Sequence, residues 1–91
     1  MKNLCRAIIW SACFLEFSED DIVDPDSAVK ALEDIATALQ DATDEEKSAF
    51  VAACAEEAGT LQKSAGPAYE KTAEYIRDLP YAVGIREGKE A

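Results

Sequence analysis

Residues 24–41 read DPDSAVKALEDIATALQD, and this stretch decides the fold class. Asp24 followed by Pro25 is a helix start. The aspartate carboxylate can accept from the free backbone N–H groups of a first turn, and proline at the first helical position gives up no hydrogen bond. Val29, Leu32, Ala36 and Leu39 then recur at three- and four-residue steps, with Ala28 and Ile35 widening the apolar stripe. Lys30, Glu33, Asp34, Thr37 and Asp41 take the other face, so an amphipathic helix runs to about Ala42.

On the C-terminal side, Thr43 and Glu46 have the spacing of a capping box, so a third helix begins at once and is expected to return antiparallel to the second. Phe50, Cys54 and Leu61 stay in phase across Gly59 and carry this helix to about Ser64. Gly66-Pro67 interrupts the pattern. A fourth helix is expected from Pro67 to about Leu79, with Tyr69, Ala73 and Ile76 on its inner face and Tyr75 off that stripe, where ordinary packing is favoured over an exposed interface anchor. It should stop before Pro80, leaving Tyr81, Val83 and Ile85 as a short extended tail and residues 87–91 frayed.

On the N-terminal side, Ser18 to Asp24 form a loop in which Ile22 and Val23 are expected to fold onto the core. The first helix, about Asn3 to Phe17, is apolar nearly all round: Leu4, Ile8, Ile9, Trp10, Phe14, Leu15 and Phe17 leave Lys2, Arg6 and Glu16 a narrow stripe. Such a helix is covered on most sides, either by its own domain or by a second copy in a homodimer. The expected fold is all-α, a small antiparallel four-helix bundle forming one helical domain over residues 1–86.

Charge is the most unusual bulk property. The 91 residues carry a formal net charge of −10 and are 48% hydrophobic, too apolar for a disordered chain. The excess is uneven. Residues 1–15 hold Lys2 and Arg6 and no acid, residues 16–57 hold 14 acids against Lys30 and Lys47, and residues 58–91 balance five acids with five bases. A negative field of this kind repels nucleic acid and anionic membrane and speeds encounter with a basic surface. The basic residues stand singly among acids and no glycine-rich phosphate loop is present, so neither nucleic acid nor membrane is an expected partner.

Catalytic chemistry has little to work with. The chain has no histidine, which removes the commonest general base, the commonest metal ligand and every Ser-His or Cys-His nucleophile pair. Glu19, Asp20, Asp21, Asp24 and Asp26 lack the glycine and the bidentate glutamate of a calcium-binding loop. No catalytic residue, metal or cofactor is expected. Three cysteines, Cys5, Cys13 and Cys54, match no zinc or disulfide framework, and reduced thiols in a cytoplasmic protein are the simplest reading. Trp10-Ser11-Ala12-Cys13 after Lys2 and Arg6 also resembles, in outline, the lipobox of a bacterial lipoprotein signal, which implies a lipid anchor at Cys13. Trp10 stands where that pattern wants an aliphatic residue, and the apolar run is short.

These features direct attention to the acids as a contact for a basic protein: Glu19, Asp20, Asp21, Asp24 and Asp26 near the loop, and Glu33, Asp34, Asp41, Asp44, Glu45 and Glu56 on the outer faces of the second and third helices. In general build the chain is similar to the small bacterial immunity and antitoxin proteins that block a cognate toxin, which implies neutralisation by direct binding. That likeness is one of type and transfers no functional residues. A nucleic-acid mimic of phage type, in which carboxylates stand in for phosphates, is a related expectation. The alternative is a structural or oligomerisation module whose charge serves solubility.

Overall fold

The computed structural model describes residues 1–86, and every regular element in them is helical. The elements are α1 (Lys2–Phe17), α2 (Pro25–Gln40), α3 (Asp44–Ala65), a 3-10 turn (Gly66–Tyr69) and α4 (Glu70–Ala82). α3, the 3-10 turn and α4 follow one another with no loop residue between them, so the four expected segments make three helical runs, of which the last is one long helix bent at Gly66. Gly66, with φ at 64°, ends the first arm where a side chain would be strained, and Pro67 opens the turn.

Local chemistry sets the starts of α2 and α3 as the sequence suggests. The Asp24 carboxylate accepts from the Ser27 N–H at 3.0 Å, with Pro25 at the first helical position. Thr43 Oγ1 accepts from the Glu46 N–H at 3.1 Å, and Glu46 Oε1 accepts from the Thr43 N–H at 2.8 Å. Each reciprocal bond satisfies a donor that the helix itself leaves unpaired.

Packing departs from the expected bundle. α1 lies against α2, α3 and α4, and α3 folds onto α4, whereas α2 and α3 barely touch although only three residues join them. α3 packs instead on α1 and α4. One dry cluster results, with Ile9, Phe50, Cys54, Ile76 and Leu79 at its centre. Buried polar or charged residues are absent among the described residues, so the cluster is held by apolar burial and packing.

Several expected positions are corrected. Val29 and Ile22 are 56% and 66% exposed: Val29 sits at the edge of the α2 stripe, and the Glu19–Val23 turn points Ile22 outward. Tyr69 is 52% exposed because α4 begins at Glu70 and not at Pro67, which moves Tyr69 out of phase with Ala73 and Ile76. Tyr75, off the expected stripe, is half-buried with its ring edge-on to Phe17 at 5.4 Å and not an exposed anchor. The expected stop before Pro80 fails as well. α4 passes through Pro80 to Ala82 and closes with the Gly84 N–H bonded to the Tyr81 carbonyl and the Ile85 N–H to the Pro80 carbonyl. This is a Schellman closure, with Gly84 at φ 82° and Ile85 packed back on the core, so Tyr81, Val83 and Ile85 are not an extended tail. The expected fraying at 87–91 lies outside the described residues.

The glycines give a direct check. Gly59 lies inside α3 with nothing within 4 Å of an added Cβ, and Gly59→Ala should raise stability by about 0.5–1 kcal/mol. Gly84 combines a positive φ with an added Cβ only 2.9 Å from Gln40 Nε2, which itself donates to the Val83 carbonyl. Gly84→Ala should therefore lower stability by about 1–2 kcal/mol, and urea unfolding of the two variants reads both signs.

Candidate protein-binding surface

α2 supplies the backbone of the acidic surface. At about 100° per residue, Asp26, Glu33, Asp34 and Asp41 fall with Lys30 and Thr37 in an arc of about 100°, opposite Ala28, Ile35 and Leu39. Ala28 and Leu39 are buried and the four acids are exposed, so the stripe faces solvent along a helix about 24 Å long. Glu19, Asp20 and Asp21 precede this stripe in the chain and Asp44 and Glu45 follow it, all of them exposed.

The structure does not bring all eleven expected residues together as free charges. Glu56 leaves the set: it lies on α3, and its carboxylate is ion-paired with Lys2 of α1. Asp24 is committed to the α2 cap, where it also accepts from Ser27 Oγ at 3.2 Å. Asp34 pairs with Lys30 Nζ at 2.9 Å, placing one cation inside the stripe and raising the lysine pKa through that hydrogen bond and the adjacent carboxylate charge. Glu19, Asp20, Asp21, Asp26, Glu33, Asp41, Asp44 and Glu45 remain exposed.

One arrangement was not expected from sequence. Glu57 Oε1 accepts from Trp10 Nε1 at 3.0 Å and from Arg6 Nε at 3.3 Å, so adjacent acids of α3 hold Trp10 and both cations of α1. The available signal was weak: Lys2 and Arg6 are four residues apart on one helix face, and Glu56-Glu57 are adjacent on another. Between α1, α2 and the start of α3 runs an open apolar groove of about 730 Å³, walled by Leu4, Ile8, Ile35, Leu39 and Phe50, with Asp41 and Glu46 also on its lining.

Nucleophilic chemistry finds no foothold in the thiols. Cys5, Cys13 and Cys54 are free and buried, Cys13 within α1. Burial, reinforced by the Glu16 carboxylate, pushes the Cys13 thiol up to about 11. Burial pushes Cys54 up to about 12, and burial with Glu16 does the same for the Tyr75 phenol. Among the described residues no three cysteines, aspartates or glutamates converge as a metal site, and no helix is long and apolar enough to cross a membrane. Comparison with protein-family models, with curated proteins and with solved structures finds no match to this chain.

The thiols and phenol give a pH prediction. Each has a folded pKa above its ordinary value, so the folded protein keeps protons that the unfolded chain releases. Their contribution is fully present below about pH 9 and is lost as pH rises toward about 12. Urea midpoints should fall across that window, and at pH 8 iodoacetamide should label the folded cysteines far more slowly than the unfolded ones.

Proposed function

We propose that this chain is a non-catalytic inhibitor of the immunity or antitoxin type, which binds a protein through a basic surface on that partner and so neutralises it. The supporting observation is the α2 stripe. Asp26, Glu33 and Asp41 line one solvent face, with Glu19, Asp20 and Asp21 before it in the chain and Asp44 and Glu45 after it, all exposed and none salt-bridged among the described residues. A ridge of this length fits lysines and arginines lining a partner's substrate cleft, and opposite charge speeds the encounter. Three buried free thiols fit a reducing compartment, and the cytoplasm is the proposed location.

The test is capture from the native host followed by kinetics with the captured protein. Asp20→Lys, Asp21→Lys and Glu33→Lys together should slow association by about 10-fold or more, with less effect as salt is added, because these charges steer and are screened. All three sites are exposed and outside the α2 cap, so the circular dichroism spectrum should be unchanged. A captured partner that associates equally fast with the triple variant at low salt would reduce the acids to a solubilising coat.

A further inference from the structure

α1 turns an uncharged face to solvent. Asn3, Leu4, Ala7, Trp10, Ser11 and Phe14 are all exposed, with Leu4 at 66%, Phe14 at 56% and Trp10 at 40%. They lie opposite the buried Cys5, Ile9 and Ala12, while Glu16, the acid of this helix, falls about 180° from the centre of the face. In a chain of net charge −10, an uncharged aromatic face this long is an interaction surface.

The spacing identifies the occupant. Leu4, Ala7, Ser11 and Phe14 follow one another at steps of three, four and three, the seam of a two-helix coiled coil. These steps read the same in both directions. An antiparallel second copy, related by a two-fold axis near Ile9, sets Leu4 against Phe14 of that copy and Ala7 against Ser11 of that copy. The large residues then meet at the two ends, and the small ones let the helices approach in the middle.

Charge chooses the direction. A parallel pair would bring the two Glu19–Asp21 loops together at one end, whereas the antiparallel pair keeps these acidic loops at opposite ends of the seam. Phe14 of the second copy also comes over Leu4, on the wall of the apolar groove. Wholly covered, the exposed parts of Leu4, Trp10, Phe14 and their neighbours would amount to roughly 500 Å² per copy, on the order of 1,000 Å² for the pair, the size of a weak interface.

We infer that the chain is a homodimer closed by antiparallel α1–α1 packing, with the α2 acidic stripes left free on the outside. The inference does not depend on the basic-partner reading. Sedimentation equilibrium should find a dimer at about 100 µM, and Phe14→Glu or Ala7→Glu should weaken it about 30-fold or more, because each puts an unpaired carboxylate into the seam. Both sites are exposed, so helical content should hold, and Trp10 emission should shift to the red on dilution of the wild type. Register is read by cross-linking. Chains carrying Ala7→Cys mixed with chains carrying Ser11→Cys should form disulfide-linked heterodimers faster than either forms its own, since the native thiols are buried. A wild-type monomer at about 100 µM, or folded glutamate variants as dimeric as the wild type, would overturn the dimer. Faster Ala7→Cys self-linking would overturn the antiparallel register.

Discussion

The exclusion of water from the cluster of Ile9, Phe50, Cys54, Ile76 and Leu79 is the interaction on which the rest of this structure depends. It draws one turn-spaced side from α1, one from α3 and one from α4. A chain with net charge −10 resists compaction by self-repulsion, and few of its acids are offset by salt bridges. The Lys2–Glu56 and Lys30–Asp34 pairs are largely solvent-exposed and contribute little each. Apolar burial must therefore supply the main stabilisation, and the acids are tolerated because every one of them in the described part lies outside the buried set.

That division of labour shapes the surface. α2 is joined to the domain chiefly through α1, and its outer arc is free to carry charge along its whole length. α1 is the opposite case. Its inner side is fixed by Cys5, Ile9, Ala12 and Cys13, and its cations are held by Glu56 and Glu57, which leaves an outer side without charge. The molecule thus offers an acidic ridge and an apolar helix face on different parts of its surface.

Much of the helical layout was legible because it is written in local chemistry. The Asp24-Pro25 start needs only a carboxylate near free N–H groups, and the Thr43–Glu46 box closes over four residues. The end of α4 is not legible in this way. Pro80 reads as a terminator, yet burial of Leu79 and Pro80 and the Gly84 closure outweigh the hydrogen bond that proline lacks. In the acidic set, the α2 residues followed from phase alone, whereas the pairing of Glu56 with Lys2 joins residues far apart in the chain.

By itself, the sequence determined the all-α class, the starts of α2 and α3, and the face on which α2 carries its acids, since each follows from contacts within a turn or two of helix. Tertiary structure alone decided that α3 and α4 are arms of one bent run, that α2 and α3 part company, and which side of α1 is buried. A helix apolar around most of its circumference carries no phase of its own, so only its neighbours could choose the side that faces inward.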